Sequence, residues 1–260
     1  EPVLKDINLS IRSGETIGII GGTGSAKSSL VNLISRLYDV TDGSVSVGGI
    51  DVRKYHLESL RNQVSVVLQK NVLFSGTILE NLRWGDKNAT EEECRRACQL
   101  ACADDFIEKM PDKYNTFIEQ GGSNVSGGQK QRIAIAGMLA MEPEVLVLDE
   151  ATAMLDPQGR REVLDIVGRL NRERGMTVVM ITQYMEEALS ADRVIVMAEG
   201  RLITQGTPRE VFSRGRELRA NGLDLPPIAM LRDKLIDGGM NIPADVITAE
   251  ELAEAICPLK

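Results

Sequence analysis

A chain of 260 residues, 43% apolar and 26% charged, has material for a sizeable core and a well-charged surface, in one large or two small domains. A net charge of −8 and a pI near 5.0 argue against a nucleic-acid backbone or an anionic membrane surface as the main partner. No apolar run reaches the ~20 residues that span a bilayer, and no secretory signal opens the sequence. Any membrane role is therefore expected to come through a partner.

Residues 3–11 alternate apolar and polar and predict a half-exposed strand, which Arg12-Ser13-Gly14 turns into a buried strand over 15–20. Next come Gly21, Gly22, Thr23, Gly24, Ser25, Ala26, Lys27, Ser28 and Ser29, and then Leu30, Val31, Leu33, Ile34 and Leu37 at helical spacing. Strand, glycine-rich loop, lysine, hydroxyl and helix form the P-loop arrangement. Its N–H groups and helix N-terminus face phosphates, the lysine reaches the outer ones, and the hydroxyl of Ser28 holds Mg²⁺. One position departs from G-x-x-x-x-G-K-[ST]: Ala26 stands at the second glycine. If that position needs a positive φ, a Cβ there costs ~1–2 kcal/mol. The chain is expected to bind a nucleoside triphosphate.

Strands are predicted at 44–47 and 64–68 with a short helix at 56–61 between them, and Gln69 closes the second strand. From 70 to about 122 the β pattern disappears, and helices at 77–82, 89–102 and 103–109 start from Thr or Asn-Thr caps. Ser126-Gly127-Gly128 caps a helix over 129–141. A buried strand at 144–148 ends in Asp149-Glu150, and Pro157 opens a helix to 171. A strand at 176–181, a helix at 185–189 and a hairpin about Glu199-Gly200 follow. Strands alternating with helices imply an α/β fold with a mostly parallel sheet covered on both faces. The tail from Thr207 carries three further helical patterns, broken at Pro226-Pro227 and Pro243.

Cys94, Cys98 and Cys102 fall at i, i+4 and i+8 and so share one helix face. With no histidine near and no zinc-ligand spacing, they read as small buried apolar positions, which suits a reducing, cytoplasmic compartment. The single histidine, His56, reads as a surface residue. Phe74 and Trp84 either pack within the helical insertion or contact a partner's helix. Arg160-Arg161 and the run 172–174 read as solvated helix faces.

Two further stretches carry chemistry. In a P-loop protein the strand-end acid Asp149 would hold Mg²⁺ through its water shell, and Glu150 would polarise an attacking water. Asn124-Val125-Ser126-Gly127-Gly128-Gln129 opens a helix with a hydroxyl, N–H groups and the positive end of the helix dipole, a second anion site. Two such sites per chain suggest that two chains each contribute half a pocket.

In this order the P-loop, Gln69, Ser-Gly-Gly-Gln, Leu-Asp-Glu and Thr152-Ala-Met-Leu-Asp156 resemble the nucleotide-binding domain of an ATP-binding-cassette (ABC) transporter, over residues 3–215. The resemblance implies a P-loop NTPase fold of the ABC type, with antiparallel β elements, a helical subdomain and a C-terminal helical extension. The implied division is a first core part at 1–69 whose N-terminal strand is missing, the helical subdomain at 70–126, the signature helix and second core part at 127–215, and the extension at 216–260. It also implies head-to-tail dimerisation, with ATP and Mg²⁺ held between the P-loop of one chain and Ser126, Gly127, Gly128 and Gln129 of the other. Gln69 would sense Mg²⁺ and the attacking water, Asp156 would cross the dimer interface, and the helical segment would receive a transmembrane transporter subunit at the inner face of the cell membrane. Neither nucleic-acid binding nor direct membrane insertion is implied.

Within the family, residues 60–126 resemble exporter domains, and the text from about 136 resembles the ATPase of an energy-coupling-factor (ECF) vitamin importer. The change suggests a chimera joined near 126–136. The tail from 220 resembles the helical domain that pairs importer ATPases, with a cap on the sheet as the alternative. Two further departures join Ala26. Gln183 stands where the family's switch histidine belongs, so it donates an N–H but cannot become a cation. No aromatic residue precedes Tyr38 to stack on adenine. ATP hydrolysis with Glu150 as base is expected to be attenuated. The alternative is a degenerate or chimeric nucleotide-binding module with little or no turnover.

Overall fold

The computed structural model describes residues 2–69 and 72–257; Lys70 and Asn71, where the expected helical subdomain begins, lie outside them. In chain order, strand β1 (Thr16–Gly21) runs into helix α1 (Lys27–Ile34). A hairpin of β2 (Ser46–Val47) and β3 (Ile50–Asp51) turns through Gly48 and Gly49, both at positive φ. Helix α2 (Leu57–Gln63), which starts after the exposed His56, leads into β4 (Val64–Leu68). Strand β5 (Gly76–Thr77), helices α3 (Ile78–Leu82), α4 (Glu91–Leu100) and α5 (Asp104–Ile107) and strand β6 (Phe117–Ile118) precede α6 (Gly127–Leu139). Then come β7 (Val145–Asp149), α7 (Pro157–Arg174), β8 (Thr177–Ile181), α8 (Met185–Ala188), β9 (Arg193–Ala198) and β10 (Arg201–Gly206). Helices α9 (Pro208–Phe212), α10 (Gly215–Ala220), α11 (Pro227–Asp237) and α12 (Ala249–Ile256) end the described chain.

Local chemistry starts half of these helices. Thr77 with Glu80, Thr90 with Glu93, Ser126 with Gln129, Thr207 with Glu210 and Thr248 with Glu251 form reciprocal capping boxes. Asp156 caps α7 through the N–H of Gly159 at 2.8 Å, and Gly175 ends that helix at φ +65.

The chain divides into two compact units. The first comprises residues 2–11, 16–29 and 182–257. Here β1 pairs in parallel with β9, from Ile17 opposite Arg193 to Gly21 opposite Met197, and β9 pairs antiparallel with β10. Glu199 and Gly200 both take left-handed φ at the turn, the combination that matches strand twist in a tight hairpin. Residues 3–11 are not a strand. Among described residues their backbone reaches this hairpin through the Lys5 N–H to the Gly200 carbonyl at 2.9 Å, and Asp6 takes φ +53, which no strand accommodates. The tail holds four helices where three were expected, because the run after Thr207 breaks at Ser213 and Arg214. Phe212, Leu218, Leu225 and Ala229 share a core with Ile20, Val194 and Val196, so the inner face of the tail is a cap on these strands.

The second unit comprises residues 12–15, 30–69 and 72–181. Strands β4 and β8 flank β7, both in parallel. Their side chains share one core with Ile78 and Leu82 of α3, Cys94 and Cys98 of α4, Ile133 and Ile135 of α6, and Val163, Ile166 and Leu170 of α7. The stretch expected to lack β structure contains the ribbon β5–β6, whose two-residue strands are too short to show alternation.

Two side-chain expectations change. Helix α4 ends at Leu100, so Cys102 lies beyond it at φ +49 and only Cys94 and Cys98 share its buried face. Phe74 and Trp84 do not pack inside the helical segment: they are 46% and 61% exposed and stack on each other with ring centroids 4.2 Å apart.

Candidate functional site

The first unit contains the glycine-rich loop. Strand β1 delivers it from a buried row, and Gly21 is a position where backbone leaves no room: a Cβ there would lie 2.3 Å from the Met197 carbonyl oxygen. Beside Gly22 and Gly24, by contrast, a Cβ would meet nothing within 4 Å, so that side of the loop faces open space. Gly24 takes φ +80 and Ala26 takes φ +69. The glycine missing from the pattern is thus missing at a left-handed position, where an L-residue is strained. Lys27 starts α1 and is 8% exposed; its ammonium donates to the Gly21 carbonyl at 2.6 Å, the Gly22 carbonyl at 3.0 Å and Ser25 Oγ at 3.2 Å. A cation is therefore kept inside the mouth of a loop with open backbone. Thr23, Ser28 and Ser29 complete the run, Ser28 in the first turn of α1.

The same unit holds Gln183, exposed in the turn that leads to α8. Thr182 beside it donates its N–H to the Ile19 carbonyl at 3.2 Å, so this turn hangs on the strand that ends in the loop. No sequence pattern announces the buried pair around it. Thr182 Oγ1 donates to Glu187 Oε2 at 2.6 Å, and a threonine and a glutamate five residues apart form no recognisable pattern before folding.

The second unit brings the acids together with Gln69. Leu68 lies opposite Asp149 in the β4–β7 register, so Gln69 and Glu150 leave neighbouring strand ends. Glu150 takes φ +50, a left-handed conformation for a glutamate at a strand end, and its N–H donates to the Ile181 carbonyl at 3.0 Å. A separate cluster holds the Ser-Gly-Gly turn. Ser126 Oγ accepts the Gln129 N–H at 3.2 Å and Gln129 Oε1 accepts the Ser126 N–H at 3.0 Å, which leaves the first-turn N–H groups of Gly127 and Gly128 without an intrahelical acceptor. A Cβ on Gly127 would sit 3.7 Å from the Met154 carbonyl oxygen, so the segment running into Asp156 is its neighbour.

Among described residues no group of three or more His, Cys, Asp or Glu side chains forms a metal cage. The donors present, a serine hydroxyl and strand-end carboxylates, are those Mg²⁺ uses when substrate phosphates and waters complete its shell. Among described residues, too, no helix is long and apolar enough to cross a membrane.

A buried lysine in a glycine loop between a parallel strand and a helix defines a phosphate-binding-loop protein of the α/β class. A family model described as ABC transporter matches residues 4–153. The chain is 42% identical to the energy-coupling factor transporter ATP-binding protein EcfA1 of Caldanaerobacter subterraneus subsp. tengcongensis, over 98% of this chain and 92% of that protein. It is 43% identical to EcfA2 of Symbiobacterium thermophilum, over 97% of this chain and 88% of that one. Among solved structures, a bacterial Atm1-family ABC exporter with ATP bound superposes with a TM-score of 0.75 at 31% identity, covering 82% of this chain and 37% of the exporter chain. The chain belongs to the ABC transporter family. The EcfA1 match spans residues 126–136 and lends no support to a chimera joined there.

Proposed function

We propose that this chain is the ATP-binding subunit of an ABC transporter of the energy-coupling-factor class, which pairs with a second nucleotide-binding domain around Mg-ATP and hydrolyses it to drive a transmembrane partner. The observation that carries the reading is the lodging of the Lys27 ammonium against the Gly21 carbonyl, in a loop whose Gly22 and Gly24 face open space. The full-length likeness to proteins named as transporter ATP-binding proteins supports the same reading and the transport context. The place of action would be the inner face of the cell membrane, reached through that partner.

The residues divide the work. The N–H groups of 21–29 and the Lys27 ammonium bind phosphate oxygens; Ser28 and Asp149 are the candidate Mg²⁺ ligands, with Gln69 sensing the ion. Mg²⁺ supplies charge neutralisation on the phosphate oxygens when bound. Glu150 orients and deprotonates the attacking water, Gln183 donates to the γ-phosphate, and Ser126, Gly127, Gly128 and Gln129 complete the pocket of the opposite copy, with Asp156 at that junction. Ala26 at φ +69 favours attenuated turnover, since strain there sits in the phosphate loop itself.

The test is ATP turnover of the purified chain at two protein concentrations, with and without Glu150→Gln. Turnover that rises more than in proportion to protein, and that Glu150→Gln abolishes while ATP binding persists, is the expected result. Equal turnover in both proteins favours a nucleotide-binding module without hydrolysis of its own.

A further inference from the structure

The turn that carries Gln183 is built more rigidly than an exposed loop of three residues requires. Thr182, 1% exposed, is pinned by its N–H to the Ile19 carbonyl of β1. Its hydroxyl accepts the Tyr184 N–H at 2.9 Å and donates to Glu187 Oε2 at 2.6 Å. Gln183 is thus flanked by the pinned main-chain N–H of Thr182 on one side and by the Tyr184 N–H bound to the Thr182 hydroxyl on the other. Glu187 is itself buried, whereas its neighbour Glu186 is exposed. A carboxylate withdrawn from water is costly unless hydrogen bonds compensate it, and an apolar side chain would fill the same space without that cost. The helix that presents Glu187 is seated on the strand by close approach: a Cβ on Gly18 would lie 3.3 Å from the Ala188 Cβ.

We propose that Thr182 and Glu187 are positioning residues, which fix the Gln183 backbone relative to the β1 strand and the phosphate loop that extends it. The inference rests on the reading that Gln183 donates to the γ-phosphate. A glutamine has three free torsions and no charge, so its hydrogen bond to a phosphate oxygen depends on a preset backbone more than a cation's attraction does. The clamp confers discrimination between nucleoside triphosphate and diphosphate, while the loop itself holds the phosphates they share.

The experiment measures Kd for Mg-ADP and for the non-hydrolysable Mg-AMP-PNP in the full chain, so no turnover is needed. Gln183→Ala is expected to weaken AMP-PNP binding about tenfold, the loss of a hydrogen bond to a charged group, with ADP unchanged. Thr182→Val, which keeps shape and removes the hydroxyl, is expected to reproduce most of that loss and to add nothing in the Gln183→Ala background. Glu187→Gln, whose amide oxygen still accepts from Thr182, should retain the discrimination. If Gln183→Ala lowers the ratio and Thr182→Val leaves it intact, the positioning role is overturned and the role of Gln183 stands. If Gln183→Ala leaves the ratio intact, the reading of Gln183 fails and the clamp has nothing to position. Equal weakening of both nucleotides by Thr182→Val means general damage to the loop, and also overturns the proposal.

Discussion

The guanidinium of Arg232, 1% exposed, donates to the Phe212 carbonyl at 3.0 Å and to the Val246 carbonyl at 2.9 Å. Phe212 ends α9 and Val246 precedes α12, so one side chain on α11 ties three stretches of the tail. Asp233 balances the charge at 2.7 Å and also accepts from Arg219 at 2.9 Å. Arg232→Met keeps much of the volume and removes every donor, leaving the Phe212 and Val246 carbonyls without the donor they share and Asp233 with Arg219 alone. It is expected to lower stability by ~3–5 kcal/mol, read as a shift of the urea midpoint. A loss below ~1 kcal/mol would show that the tail is held by its apolar contacts alone.

Ala26→Gly tests the strain in the phosphate loop. Relief of a left-handed Cβ is worth ~1–2 kcal/mol, and the extra freedom of glycine in the unfolded chain returns ~0.4–1 kcal/mol. The expected outcome is a small rise in Tm, with tighter nucleotide binding. A fall in Tm would place the strain elsewhere. Gly21→Ala should do the opposite and strongly, because its Cβ would press on the Met197 carbonyl.

Trp84 is the only tryptophan, so intrinsic indole emission reports its stack with Phe74. Phe74→Leu is expected to alter the intensity and position of that emission and to cost only ~0.5–1.5 kcal/mol, the worth of an aromatic pair beyond its area. Unchanged emission would mean the rings are not stacked in solution.

How far this was legible beforehand varies with the physics of each element. Thr90 with Glu93, or Ser126 with Gln129, announces a helix start because the cap is a local bargain between neighbours. The phosphate loop was legible because its backbone demands fix residue types over a few positions. Arg232 was not: an arginine on a helical pattern reads as solvated, and only the convergence of two carbonyls from 20 and 14 residues away gives it a buried place. Phe74 and Trp84 run in the opposite sense: aromatic character argues burial, yet tertiary context leaves the pair outside, which removes the packing alternative and leaves the other open. Residues 3–11 carry a strand's alternation, but Asp6 at positive φ interrupts the extended backbone a strand requires.

Acid tests the far end of the tail. Arg209 beside Glu251, with the N–H of Ile247, holds that carboxyl down at about 2, against an ordinary value of 4.5. A depressed folded value means stability that is fully present above about pH 4.5 and is lost as the pH falls toward 2. Tail helix content followed from pH 6 to pH 2 should fall over that window, and Glu251→Gln should remove the Glu251 share of the dependence. An identical acid profile in the variant would assign the transition to other carboxyls.

The four cysteines differ sharply in access. Cys94 and Cys98 are buried, and burial pushes the Cys98 thiol up to about 12, while Cys257 stands exposed just past the last helix. Maleimide chemistry at neutral pH should therefore modify the tail end while sparing the pair inside the helical core. If two copies of this chain pair as proposed, a nitroxide placed at Cys257 reads the distance between their tails with and without Mg-AMP-PNP.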